Sequence, residues 1–456
     1  MSNRHHIERL RLRREAAVVS ALTVEDVFGV SGNDVASYVE RDHVDDAFLA
    51  ALHTDQQIVV YGASKQGKTA LVKKHINYDD SIVITLSPKT TLRNIYQAIV
   101  RKYDVPLLAS YTEGTGDASK IRGKASIQGT IAVIRGRGEI AADVEHSSKL
   151  ELKYDRIEYN LDLPDDVASL IREHGTAKPI ILENFHYLSE EVQREFAFDL
   201  RSFHDLKIKF IILGVWKEAN RLNQFNGELQ DRLAEVPVEP WSDEDFRRIV
   251  KKGEDLLNVK MATALVEECI DSAFSSVGVF QELIKYTCLE HGVKGYQVAN
   301  KFMDDPKALA RAIDKKTSDY SGRHLKNLEA IACGNAATVD KSKPIPYFLS
   351  YYVIMHILEV GFDGFNGGLS ADAMLPAIKR VHHRAENLKI AHLTNALTGL
   401  TGMQSGKGIN PPVLAYDSNS RQLKVVDSTF YFFLKNANLG LIKEDILSPL
   451  DALEEC

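Results

Sequence analysis

Gln57-Ile58-Val59-Val60-Tyr61-Gly62-Ala63-Ser64-Lys65-Gln66-Gly67-Lys68-Thr69-Ala70-Leu71-Val72-Lys73-Lys74 is the stretch on which the chain turns. An apolar run leads into a glycine-bounded loop, and a helical pattern follows. That is the order strand, loop, helix that a phosphate-binding P-loop needs. Gly62 and Gly67 let the backbone curl, so that the N–H groups from Ser64, Lys65 and Gln66 to Ala70 point inward at phosphate oxygens. The new helix adds its positive N-terminal end. Lys68 is expected to reach β and γ phosphates, and the Thr69 hydroxyl to ligate Mg²⁺. A bound ATP·Mg²⁺ is the expected cofactor.

The rest of the composition sets bounds. A chain of 456 residues with 44% hydrophobic content can bury several cores, so two to three domains are expected. A formal charge of −7 does not suit a protein that coats nucleic acid generally, though it leaves room for local basic patches. The four cysteines, Cys269, Cys288, Cys333 and Cys456, form no CxxC pair. Metal and disulfide frameworks are therefore not expected, and a reducing, cytoplasmic setting fits. No run reaches the roughly 18 apolar residues of a membrane span. The start shows no signal-peptide pattern, and no membrane partner is expected.

Along the chain, the basic stretch Arg4 to Glu15 reads either as a solvated, frayed helix or as a phosphate contact. Ser81 to Leu86 is a second buried strand and Thr91 to Tyr103 a helix. From about 113 to 160 the chain turns polar and glycine-dotted. Strands are predicted at 126–131, 139–144 and 150–154, an inserted hairpin or meander that serves as a partner-contact arm or as a plain excursion. Pro179-Ile180-Ile181-Leu182-Glu183 is the Walker B pattern, a buried strand that delivers a carboxylate to the Mg²⁺ side of the phosphates. The next residue, Asn184, orients water but accepts no proton. His186 is the nearest substitute base, with a satisfied structural histidine as the alternative. Hydrolysis is expected to be slow or partner-dependent.

The order of P-loop, Walker B, Gly214-Val215-Trp216, Leu229-Gln230-Asp231-Arg232, short strand and Pro240-Trp241 resembles the origin-recognition and transposition-type AAA+ ATPases. It is also similar to their relatives, the STAND signal-transduction ATPases, over roughly residues 25 to 300. The resemblance implies an ATP hydrolase. It implies that Arg232 is an arginine finger or an in-chain γ-phosphate contact; the alternative is a surface Arg paired with Asp231 or Glu235, and Arg221 is a weaker candidate for the same role. It also implies that a segment before the first strand covers the adenine, with Phe28 and Arg41 as candidates. The helical lid, at Ser276 to Glu282, carries no Arg.

The expected fold class is α/β. It comprises a P-loop NTPase core whose parallel sheet runs in the order 5-1-4-3-2, with an inserted β-hairpin region, a helical lid and a C-terminal winged helix. The expected division is 1–45, an N-terminal adenine-covering segment; 46–240, the core with its insertion; 241–300, the lid; 301–345, a helical connector; 346–440, the winged helix; and 441–456, a tail. In the winged helix, helices are predicted at 347–359, from Ser370 onward and at 388–400. A loop is predicted at 361–368, a wing hairpin at 412–427 and a last helix capped by Ser428. Lys389, His392 and Asn395 are a thin set for phosphate neutralisation, so a switch is favoured over a DNA reader. The function expected is an ATP-dependent switch controlling conformation or homo-oligomerisation. By resemblance it serves bacterial antiphage defence with a separately encoded effector. The alternative is a DNA-binding AAA+ regulator or loader.

Overall fold

A computed structural model describes residues 21–30, 35–103, 107–108, 130–137, 153–174, 178–216, 218–334 and 344–451. The basic stretch at 4–15 and the strand predicted at 139–144 lie outside them.

Eight strands serve the first half of the chain: β1 (Gln57–Gly62), β2 (Ile82–Thr85), β3 (Leu107–Leu108), β4 (Thr130–Arg137), β5 (Lys153–Asn160), β6 (Ile180–Glu183), β7 (Phe210–Val215) and β8 (Leu233–Pro237). Five of them form one parallel sheet in the order β2-β6-β7-β1-β8. Counted along these five strands alone, the order from the β8 edge is 5-1-4-3-2. Counted along the whole chain, β3 to β5 intervene and it reads 8-1-7-6-2. β1 is buried at all six positions because β7 and β8 flank it and helices cover both faces. Its side chains alternate between two cores. Val59 and Tyr61 join Ile82, Ile84, Leu182 and Phe196 on one face. Ile58 and Val60 join Phe48, Leu71, Val72 and Val236 on the other. An unbroken apolar run is what such a two-sided strand requires.

The insertion forms a separate antiparallel sheet, β3-β4-β5. Its strands differ from the expected ones. The long pair is 130–137 with 153–160, in register Ile134↔Arg156. The predicted breaks around 131 and 154 are absent, because each strand continues in alternation as far as its partner supplies backbone hydrogen bonds.

Beyond the sheet, helices Asp243–Leu257, Thr263–Ala273 and Val277–Glu290 occupy the segment expected as the lid. Ser242 and Asp245 cap the first reciprocally, each side chain taking the other's backbone N–H at 3.1 Å. Phe28, on the short helix Val24–Phe28, is fully buried in the lid core with Phe246 and Phe280. Gly253 makes room for it: a Cβ there would lie 2.0 Å from Phe28 Cζ.

A long helix, Pro306–Ala332, leads to a C-terminal unit. Helices Leu349–Phe365, Ala371–Val381, Ile390–Thr398 and Leu400–Gly406 surround a three-stranded sheet of 369–370, 422–425 and 414–417. Two boundaries depart from expectation. In the segment predicted as a loop at 361–368, Gly361 breaks the first helix with non-helical φ 61° and ψ −161°, but a further short helical stretch runs to Phe365 before the loop. The cap of the last aromatic helix, Ser428–Asn436, is Asp427, whose side chain accepts from Thr429 N; Ser428 is the first helical residue, and its hydroxyl is used elsewhere.

Candidate functional site

At the C-terminal end of β1 the chain has to turn sharply around a phosphate-sized space. Gly67 sits at φ 86° and Lys65 at φ 60°, both left-handed. Gly62, at φ 153°, passes so close to β8's continuation that a Cβ would lie 2.7 Å from Val238 Cγ2. The loop delivers Ser64 to Ala70 into one cavity. Lys68 bridges the loop, donating from Nζ to Gly62 O at 3.1 Å and Ala63 O at 2.6 Å. Burial pushes its ammonium down to about 8, against the pull of the Glu239 carboxylate. Glu239 in turn accepts from Ala63 N at 2.5 Å.

A second, adjoining cavity gathers Lys68, Thr69, Glu183, Asn184 and His186. β6 supplies Glu183 opposite Thr85 of β2, whose hydroxyl lies 3.4 Å from Oε2. Tyr78 donates its hydroxyl to Glu183 Oε1 at 3.0 Å, and burial beside that carboxylate raises the phenol well above its usual range. Asn184 takes a left-handed turn at φ 61° to leave the strand. Both His186 ring nitrogens are buried without a partner. Burial, with Lys68 and Arg221 nearby, lowers its imidazole to about 3, so it is neutral at pH 7.

Thr69 and Glu183 are the oxygen donors available to a Mg²⁺ ion. Among the described residues no group of three or more His, Cys, Asp or Glu side chains converges. A hydroxyl and one carboxylate beside a phosphate cradle suit Mg²⁺, which takes its remaining ligands from phosphates and water.

Other expected residues lie elsewhere. Arg232 precedes β8 at the end of the strands opposite the P-loop: its carbonyl accepts from Gln57 N at 2.9 Å, where β1 begins. The P-loop leaves β1's far end, roughly 17 Å away at strand rise. An in-chain γ-phosphate contact by Arg232 is thus corrected by placement. Its side chain donates to Glu228 O at 2.7 Å and lies 3.5 Å from Asp205, not from Asp231 or Glu235. Arg221 pairs with Glu218 at 3.3 Å. The adenine-covering candidates are corrected too. Phe28 belongs to the lid core, and Arg41 is buried with its guanidinium 3.5 Å over Trp241 and donating to Val238 O at 2.9 Å. Tyr38, Val39, Trp241 and Ile249 line the cavity instead.

Four contacts escaped sequence reasoning because they join distant segments. Gln66 Oε1 accepts from Val277 N, at the start of the third lid helix, at 3.3 Å. Ser428 Oγ donates to Ser64 O at 3.0 Å and lies 2.9 Å from Ser276 Oγ. Ser64 N donates to Val426 O at 3.4 Å. Lid, loop and C-terminal unit thus meet on Ser64 to Gln66. Behind them Arg323 binds Asp427 at 2.7 Å, and Lys316 and Lys285 bind the buried Glu282 at 2.8 and 2.5 Å.

No protein-family model and no curated protein matches the chain. Among solved structures it is similar to a Walker-type ATPase of Pyrococcus abyssi, at 13% identity and TM-score 0.45, over 87% of this chain and 96% of that one. It is similar to the Orc1 protein of Aeropyrum pernix, solved in complex with DNA, at 9% identity and TM-score 0.38, over 94% and 98%. A third is the RuvB protein of Thermotoga maritima, at 12% identity and TM-score 0.37, over 88% and 96%. At such identities and scores the site stands on its own geometry.

Proposed function

We propose that the chain is an ATP-dependent molecular switch with slow hydrolysis, in which the nucleotide state sets how the C-terminal unit sits on the P-loop. The observation that carries this is convergence: Lys68, Thr69 and Glu183 share one cavity, and the loop beside it is held by both the lid and Val426 to Ser428. Bound Mg²⁺ supplies charge neutralisation between the β and γ phosphates. The chain's own residues do the rest. Lys68 exchanges its two loop carbonyls for phosphate oxygens. Thr69 and Glu183 hold the metal, and Asn184 orients water without taking its proton. His186, neutral and without a hydrogen-bond partner among the described residues, lines the cavity as the candidate base. With so weak a base, turnover is slow.

The C-terminal unit is read as a winged helix: three helices, a short strand and the hairpin 414–417/422–425 follow in that arrangement's order. A switch suits it better than a duplex reader. His382 and His383, beside Lys379, Arg380 and Arg384 on and after the helix Ala371–Val381, are spent on Tyr347 O at 2.9 Å and Pro346 O at 3.0 Å, and His392 stacks on Tyr347 at 4.7 Å. Arg232, at the end of the strands away from its own site, fits a finger offered to a neighbouring copy in a homo-oligomer. An effector partner and a defence setting rest on the family resemblance alone. Calorimetric titration with ATP·Mg²⁺ tests the site: one nucleotide per chain is expected, and none for Lys68→Ala. Equal binding by both would remove the P-loop assignment.

A further inference from the structure

Beyond the phosphate cradle, the nucleotide cavity continues between the segment before β1 and the lid. Its walls there are apolar: Val35, Val39, Trp241, Ile249 and Val277. Such a slot suits the faces of a purine ring and leaves the ring's polar edge to be answered by few groups. Tyr38 does not answer it, because its hydroxyl is given to Asp45 at 2.6 Å. Gln281 remains. It lines the cavity, is 8% exposed, and its amide makes no hydrogen bond among the described residues. The indole Nε1 of Trp241 is a second buried group without a partner. Its ring reaches the loop, with Cζ2 3.5 Å from where a Cβ on Gly67 would stand.

Gln281 is also held in place. It lies one helical turn beyond Val277, on the same face of the third lid helix. Val277 N is tied to Gln66 Oε1 of the P-loop, and Gly278 lets that helix approach so closely that a Cβ would lie 2.5 Å from Lys65 Cβ. The helix that carries Gln281 is thus tied to the loop, and its amide, with no hydrogen bond among the described residues, is free to meet a ligand's polar edge.

We propose that Gln281 reads the base edge of the bound nucleotide and makes the site select a purine with a hydrogen-bonding group at C6. A Gln amide offers one acceptor and donors side by side. Adenine presents the complement, an exocyclic N–H donor next to a ring-nitrogen acceptor, so both hydrogen bonds form together. Guanine presents its O6 acceptor next to the N1–H donor, so the same amide, turned over, pairs with it too, whereas a purine without a C6 substituent offers the ring nitrogen alone. Because Gln281 belongs to the lid, the base contact also fastens the lid over the phosphates. The inference rests on the nucleotide-switch proposal above and adds the group that reads the base.

The test uses the full chain and three probes: ATP, GTP and the triphosphate of purine riboside, which keeps the ring and lacks the amino group. Affinities are measured for the parent, Gln281→Met, Gln281→Ala and Gln281→Glu, with melting curves to confirm folding. The parent should favour ATP over the purine riboside triphosphate by about tenfold, the scale of one bidentate pair. Met and Ala should bring the ATP to purine-riboside ratio near one. Glu, with two acceptors, should shift preference toward GTP. An undiminished ratio in folded Gln281→Met or Gln281→Ala overturns the base assignment while leaving the cradle intact. Failure of the parent to bind any of the three, or binding insensitive to Lys68→Ala, overturns the cradle itself and the base reader with it.

Discussion

Ser428→Ala isolates the grip of the C-terminal unit on the P-loop. The hydroxyl donates to Ser64 O at 3.0 Å and meets Ser276 Oγ at 2.9 Å, in a buried spot between loop, lid and C-terminal helix. Removing one oxygen atom deletes both hydrogen bonds and creates little cavity. At about 0.5–1.5 kcal/mol each, the loss is roughly 1–3 kcal/mol of docking free energy, or a 5- to 150-fold shift toward the undocked form. The third contact, Ser64 N to Val426 O, is long at 3.4 Å and cannot make up the difference. Release of a fluorescent ADP analogue, followed by stopped flow, reports the shift, because the loop must open to let the phosphates out. Release several-fold faster than the parent, with nearly unchanged melting temperature, is expected. The parent rate in a folded Ser428→Ala protein would refute the reasoning, since the docked unit would then exert no hold on the nucleotide.

Four further outcomes follow from the same geometry. Arg232→Ala should bind ATP normally and lose turnover only in the assembled form, so mixing it with a Lys68→Ala chain, whose Arg232 is intact, should restore phosphate release; no restoration removes the trans-finger role. Tyr78→Phe frees Glu183 Oε1 and should lower the Mg²⁺ concentration for half-maximal ATP binding a few-fold, measured by titration at fixed ATP. Gly278→Ala drives a Cβ to 2.8 Å from Lys65 O, a backbone atom that cannot swing aside, and should cost about 1–3 kcal/mol by denaturant melts. His186 has a folded pKa of about 3 against an ordinary 6.5, so the unfolded chain binds the extra proton first. Its contribution to stability is present above about pH 6.5 and is lost as pH falls from there toward 3. His186→Asn should therefore flatten the acid side of the stability profile, and an unchanged slope would show that the imidazole is not held neutral.

Much of this was legible because it is local. Gly62 to Thr69 encodes a turn that needs left-handed backbone, and the β1 run encodes burial on both faces. Glu183 follows from an apolar run ending in an acid. Contacts across the fold were not legible. Ser428 looks like a helix cap in sequence, yet Asp427 caps the helix and Ser428 turns to Ser64, more than 360 residues earlier. Phe28 has the aromatic character of a base-covering residue, but Gly253 opens a hole for it in the lid core. Arg232 stands in motif order, while the parallel pairing of β8 with β1 leaves it at the end of the strands away from the P-loop. Tyr78 and Gln281 carry no local signature; only the packing of helix, strand and lid brings them to the cavity.

Amide hydrogen exchange of residues 64–66 and 426–429, with and without ATP·Mg²⁺, tests the switch most directly. Nucleotide should change protection in both segments together, and Lys68→Ala should abolish the change. Protection at 426–429 that stays the same at saturating ATP·Mg²⁺ would contradict a C-terminal unit governed by the nucleotide.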